Sequence, residues 1–215
     1  LHVPIRAVVG LMAVAKAQPP APDRAPELTL PPAEAAYLRA AYEDATTILE
    51  YGSGGSTVMA AEMQGKTVWA VESDRKWMQG LQAWFAVNPP ASKVNLRHGD
   101  VGPTGKWGRP SGTGHYAKFH KYALDVWEEP GFDQPDTVLI DGRFRAACFL
   151  AVAYRTERPV SVYFDDYIGR PSYKVVERFG PPVETVGRMA RFDLEPQEIT
   201  GADLNWVLDI FARIQ

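Results

Sequence analysis

Five short runs of β-branched and aromatic residues, spaced along the chain and each ending in an acid, restrict what this sequence can fold into. They begin at Ile48, Thr67, Val94, Thr137 and Val160, and they lead into Glu50, Glu72, Asp100, Asp141 and the pair Asp165-Asp166. Helical spacing fills the intervals at Thr57–Met63, Lys76–Val87, Tyr116–Glu128 and Phe144–Tyr154. An earlier helix is expected from Pro32, at an N1-like position, through Ala33–Asp44, with Glu34 in its first turn. Val183–Leu194 offers two further strands, and Ala202–Ile214 again has helical spacing. Strands alternating with helices at this rhythm predict a mostly parallel sheet with right-handed crossovers and helices on both faces, a three-layer αβα sandwich. No internal repeat competes with that reading.

A chain of 215 residues suffices for one such domain with a full core. The net charge of −3 leaves no broad excess of Lys and Arg to match phosphates, which argues against a general nucleic-acid binder. Cys148 is the single cysteine and lies in an apolar run, so no intrachain disulfide can form and a reducing, cytoplasmic setting fits. No run approaches the ~18 apolar residues that span a bilayer, so no membrane association is expected. Arg6 followed by the apolar run Ala7–Ala15 resembles a weak secretory signal, and an N-terminal element packed on the domain is the favoured alternative. Prolines at 19, 20, 22, 26, 31 and 32 make the following stretch an extended linker. The organisation expected is therefore an arm and linker over 1–32 and a single domain over 33–215. A Gly- and Pro-rich, lid-like insertion lies at 101–130.

The chemistry concentrates at the strand ends, where doubly wound sheets bind ligands. At the first, Glu50-Tyr51-Gly52-Ser53-Gly54-Gly55-Ser56-Thr57 couples a strand to a helix through glycines, which let the backbone approach a ligand closely. Counting from Gly52, the third glycine of a dinucleotide fingerprint is replaced by Thr57. Glu50 is an odd neighbour for pyrophosphate and a sensible one for an ammonium group. Glu72 follows 22 residues after Glu50, the distance at which a carboxylate can accept from both ribose hydroxyls.

On these residues, with Asp100 and Asp141, the chain resembles the class I S-adenosylmethionine-dependent methyltransferases over about residues 45–170. The resemblance implies a Rossmann-like sheet of about seven strands in the order 3-2-1-4-5-7-6, with the seventh antiparallel. It also implies that Glu50 and the loop Gly52, Ser53, Gly54, Gly55 and Ser56 contact the methionine part of S-adenosylmethionine. Glu72 with Ser73 would hold the ribose, and His98 with Asp100 would lie on the adenine side. A narrower resemblance, carried by Leu139-Ile140-Asp141-Gly142 and Tyr163-Phe164-Asp165-Asp166-Tyr167, is to a subgroup that includes metal-dependent O-methyltransferases. It implies that Asp141, Asp165 and Asp166 hold a divalent ion such as Mg²⁺, with hard oxygen ligands orienting a substrate hydroxyl. The competing reading is that Asp165 and Asp166 cap a turn.

Within the insertion, Trp107, Tyr116, Phe119, Tyr122 and Trp127 offer aromatic surface to a substrate or to the core. His115 and His120 are candidate general bases, His120 the one retained, and Asp141 is the other catalytic candidate. Arg143 and Arg145 straddle Phe144 and either bind an anionic substrate or pair with the strand-end acids. The function expected is methyl transfer to a small-molecule acceptor. An NAD(P)-dependent oxidoreductase and a non-enzymatic relative of the methyltransferases are the alternatives. The Pro-rich arm and apolar N-terminus could reach a second subunit in a homodimer.

Overall fold

The structure, a computed structural model, describes residues 19–214. The signal-like or packed element expected over Ala7–Ala15 lies outside the described residues. One mixed sheet runs in the order β3-β2-β1-β4-β5-β7-β6. It consists of β1 (Thr47–Tyr51), β2 (Thr67–Glu72), β3 (Lys93–His98), β4 (Thr137–Ile140), β5 (Val160–Phe164), β6 (Glu184–Val186) and β7 (Met189–Leu194). Neighbours are parallel from β3 to β5, and β7 returns antiparallel against β5. The expected strand order is thereby observed, with β1 and β4 at the centre, where near-continuous apolar runs suit burial on both faces.

Register brings the strand ends level. Tyr51 pairs with both Val71 and Ile140, Ile140 pairs with Phe164, and Glu72 pairs with His98. Gly52, Ser73, Asp141 and Asp165 therefore follow one another along a single carboxyl edge.

Strand alternation divides the core into two layers. Ile48, Val68 and Leu139 pack with Leu38 and Tyr42 of α1 (Pro32–Asp44) and Met59 and Ala60 of α2 (Gly55–Ala61). Leu49, Trp69, Val71 and Val138 face the opposite side. There they pack under α4 (Phe119–Leu124), α5 (Arg145–Arg155) and α6 (Leu204–Phe211). Helix α3 (Arg75–Val87) starts where expected because Asp74 caps it, accepting from the Lys76 and Trp77 amides at 2.9 and 3.1 Å.

One segment departs from the helical spacing of the sequence, and another, expected as a linker, packs on the domain. The stretch Tyr116–Glu128 is not one helix: 3₁₀ turns at Tyr116–Lys118 and Asp125–Glu128 flank the short α4. Packing overrides propensity here, because Phe119, Tyr122, Ala123 and Val126 must all reach the sheet. The Pro-rich segment before α1 packs against the domain. Pro26 and Leu30 are buried, and the backbone at Leu28 lies where a Cβ on Gly55 would come within 2.4 Å of it. Among the described residues, no helix is long and apolar enough to cross a membrane.

Candidate functional site

The glycine loop is held from beneath. Glu50 is fully buried on the α1 and α2 side, where its carboxylate accepts from the Tyr42 hydroxyl at 2.7 Å and from the Thr57 hydroxyl. Thr57 Oγ1 in turn accepts from the Gly54 amide at 2.9 Å. Burial pushes the Glu50 carboxyl up to about 7, against the opposing pull of hydrogen bonds from Thr57, Tyr42 and Ser56. Glu50 was expected to face the ammonium of the methyl donor; in the structure its carboxylate turns to Tyr42 and Thr57 and anchors a Glu50–Thr57–Gly54 chain behind the loop. Ser56 likewise turns toward Glu50.

The glycines have separable reasons. Gly52 adopts φ +103°, a region that favours glycine, and its amide donates to Val71 O at 2.8 Å. A Cβ there would also lie 2.9 Å from Gly142 N, so the β1 and β4 loops touch backbone to backbone. Gly54 begins α2 and is buried, whereas the bare Cα of Gly55 admits the N-terminal arm.

Ser53 and Glu72 form the open side of the loop. Glu72 accepts from the Ser53 amide and hydroxyl at 3.2 and 3.1 Å and from the Asp74 amide at 2.8 Å. Desolvation raises the Glu72 carboxyl, and these bonds oppose it. Trp77 fixes the loop further by donating its indole N–H to Ser53 O at 2.8 Å. Ser73 is buried and donates to the carbonyl of Gly108 in the insertion at 2.9 Å. The segment after β3 thus crosses back over the end of β2.

His98 and Asp100 sit at the β3 end. Arg75 can only donate, so His98 Nδ1 accepts from it at 3.2 Å and Nε2 faces Ser73 O at 3.3 Å, the arrangement of a neutral ring. Desolvation, then the Arg75 charge, lowers its pKa. Asp100 pairs with Lys118 at 2.7 Å, a hydrogen bond that holds its carboxyl down at about 2. Lys118 therefore tethers the insertion to the β3 end.

At β4 and β5 the expectation of a Mg²⁺ site at Asp141, Asp165 and Asp166 is corrected. Each acid is matched to a guanidinium. Asp141 pairs with Arg145 at 2.8 Å, Asp165 accepts from two nitrogens of Arg188 at 3.0 and 2.8 Å, and Asp166 pairs with Arg170 at 2.7 Å. Three acids and three arginines compensate one another, so a hard cation would have to displace fixed positive charge to reach its oxygens. Among the described residues, no group of three or more His, Cys, Asp or Glu side chains is arranged to hold a metal. Asp166 adopts φ +55°, consistent with a turn residue. Desolvation and the neighbouring Asp165 raise the Asp141 carboxyl against the pull of Arg145. His120 is exposed on α4.

Arg145 resolves as an internal partner, bonded also to the carbonyls of Asp141 and Gly142 at 2.8 and 3.0 Å. Thr57, Tyr42 and Trp77 carry no site signal in the sequence. Thr57 reads there only as a missing glycine, although its place three residues after Gly54 is where a capping side chain reaches back.

A glycine-looped first strand, an acid closing the second and a sheet whose last strand reverses define a Rossmann-like domain. No protein-family model and no curated protein matches the chain. Among solved structures, a methyltransferase-like protein from Silicibacter pomeroyi is 50% identical, with a TM-score of 0.85 over 87% of this chain and 98% of its own. The chain belongs to the family of this methyltransferase-like protein, with a Rossmann-like fold. Two more distant structures share the fold. Cofactor-bound Rv0187 from MTB is 17% identical, with a TM-score of 0.55 over 81% of this chain and 84% of its own. The O-methyltransferase TomG from Streptomyces achromogenes, in complex with S-adenosylmethionine, is 17% identical, with a TM-score of 0.50 over 76% and 78%.

Proposed function

We propose that this protein transfers a methyl group from S-adenosylmethionine to a small-molecule acceptor. The observation that carries the reading is the junction of Ser53 with Glu72. A flexible-backbone loop and an acceptor-only carboxylate lie within 3.2 Å of each other at the sheet edge. Ribose presents two hydroxyl donors, and Glu72 offers two oxygens now satisfied by Ser53 and Asp74, groups that can re-pair on ligand binding. Gly52, Ser53 and Gly54 would line the methionine part, and His98, Gly99 and Asp100 the adenine side. The dinucleotide alternative loses ground because position 57 is a threonine committed to Glu50.

The sulfonium of the donor supplies an activated methyl group. The protein's residues then act by binding, orienting and excluding water, since displacement at carbon needs alignment more than covalent help. Asp141, its carboxyl raised by burial and its position fixed by Arg145, is the group at the β4 end suited to take a proton from the acceptor. With the strand-end acids paired to arginines, no ground remains for favouring a metal-bound hydroxyl as the acceptor.

Calorimetry with S-adenosylmethionine, adenosylhomocysteine and NAD tests the reading. Micromolar binding of the two adenosyl ligands and none of NAD is expected. Preference for NAD would overturn it. Failure of any acceptor panel to yield methylated product by mass spectrometry, despite donor binding, would favour the non-enzymatic relative.

A further inference from the structure

The insertion encloses a second feature that the donor site does not use. Residues 103–111 form a closed hairpin: Thr104 bridges Pro110, the Gly105 amide donates to Arg109 O at 2.8 Å, and the Ser111 amide donates to Pro103 O at 2.8 Å. Its tip is pinned to the β2 end by the Ser73–Gly108 bond. Opposite it stands Arg143, in the turn between β4 and α5, whose amide donates to the Tyr122 hydroxyl at 3.3 Å. Between them lies a cavity of about 320 Å³, walled by Trp107 and Pro110 and by the cations Lys106, Arg109 and Arg143.

What sets this cavity apart is that three cations converge on it with no carboxylate among its walls. The arginines at 97, 145, 155, 158, 170, 178, 188 and 191 all pair with carboxylates. Among the described residues, Lys106, Arg109 and Arg143 have no such partner within ion-pair distance, and no acid lines the cavity. The Arg143 Nε is buried and makes no hydrogen bond, as at Arg97 and Arg191, but those two guanidiniums are matched by a carboxylate and that of Arg143 is not. A buried guanidinium donor left without an acceptor is costly, of order 1–3 kcal/mol, unless something else supplies the acceptor. Three unmatched cations around one void define the missing partner as an anion. The indole of Trp107, half exposed and held at φ +61°, adds a flat apolar wall, which suits an organic anion over a bare inorganic one. Arg143 lies one residue beyond Gly142, whose backbone abuts Gly52, so one wall of the cavity is carried by the same turn that touches the glycine loop.

We infer that this cavity is the docking subsite for an oxyanion, a carboxylate or phosphate carried by the methyl acceptor, with Arg143, Arg109 and Lys106 as its binding groups. The inference rests on the methyltransferase reading for the word acceptor, while the anion site itself rests on the cavity.

Benzoate, phenyl phosphate and neutral benzyl alcohol, titrated calorimetrically into the full chain with and without adenosylhomocysteine, test it. At least one anion binds and benzyl alcohol does not. Arg143→Met and the exposed-site change Arg109→Gln each weaken the anion about tenfold or more, as loss of a charged hydrogen bond predicts. Both variants keep wild-type affinity for adenosylhomocysteine. Anions that bind no better than benzyl alcohol, or anion binding indifferent to both substitutions, would overturn the inference. An equal loss of adenosylhomocysteine affinity would also overturn it, by assigning the cations to the donor's own carboxylate. If wild-type protein binds the anions through these residues but never binds adenosylhomocysteine, the subsite stands and the methyltransferase reading falls.

Discussion

Replacing Thr57 with valine separates the two things its hydroxyl does while keeping its shape. The hydroxyl donates to buried Glu50 and accepts from the Gly54 amide at 2.9 Å. Valine deletes one hydrogen bond to a charged group, about 1.5–3 kcal/mol, and orphans a buried amide, about 1–3 kcal/mol. A destabilisation of about 3–5 kcal/mol is therefore expected near neutral pH, measured by urea unfolding. The pH dependence is more diagnostic than the size. Glu50 is near 4.5 when unfolded and about 7 when folded, so between those values the folded state holds the extra proton. Wild-type stability from this group thus falls as pH rises from about 4.5 to 7 and is level above, a total of about 3 kcal/mol at roughly 1.4 kcal/mol per pH unit. Without the Thr57 donor the folded carboxyl moves higher still, so the variant keeps losing stability beyond pH 7. The gap between wild type and Thr57→Val should then widen from pH 6 to pH 8.5. Other titrating groups cancel in that difference. A gap that stays constant across the range, or one below about 0.5 kcal/mol, would refute the Glu50–Thr57–Gly54 chain as the support of the loop.

Glu72→Gln keeps the size of the side chain but turns one acceptor oxygen into a donor, and adenosylhomocysteine affinity should fall about a hundredfold by calorimetry. Arg188→Met leaves buried Asp165 without its bidentate partner and should cost about 3–5 kcal/mol in urea unfolding, with Asp165→Asn on top of it restoring part of the loss. Millimolar Mg²⁺ should leave the thermal midpoint unchanged, and EDTA should leave any methyl transfer intact; a clear rise in midpoint would reinstate the metal site. Gly55→Ala puts a Cβ 2.4 Å from the Leu28 Cα, so the arm must lift away, and limited proteolysis between residues 21 and 28 should accelerate without loss of the core fold.

The sheet was legible because each strand is a compact β-branched run bounded by turn residues, and a parallel sheet buried on both faces leaves few other solutions. The acid–arginine pairing at β5 was not, because Arg188 lies in the turn between β6 and β7 and reaches Asp165 only once β7 folds back antiparallel. The Arg145–Asp141 pair is spaced i,i+4 and was open to inference, yet the same spacing also suited an anionic substrate. Only the structure distinguishes the two arginines: Arg145 is ion-paired with Asp141, whereas Arg143 makes no ion pair and lines a void.

The sharpest lesson lies in a single residue of strand length. The row of strand-end acids looks uniform in the sequence, but β1 continues through Tyr51, so Glu50 lies inside the strand and not beyond it. Alternation then decides its environment: Tyr51 points to the α4 and α5 layer and Glu50 to the α1 and α2 layer, beneath the loop. Glu72 is the last residue of β2 and Asp141 the first after β4, so both emerge at the open edge, with access to a ligand. An acid one position inside the ladder becomes a buried support with a raised pKa, whereas Glu72 and Asp141, at or just past their strand ends, reach the carboxyl edge of the sheet. Strand boundary, more than the presence of a carboxylate, decides which of these acids lies beneath the loop and which lies at that edge.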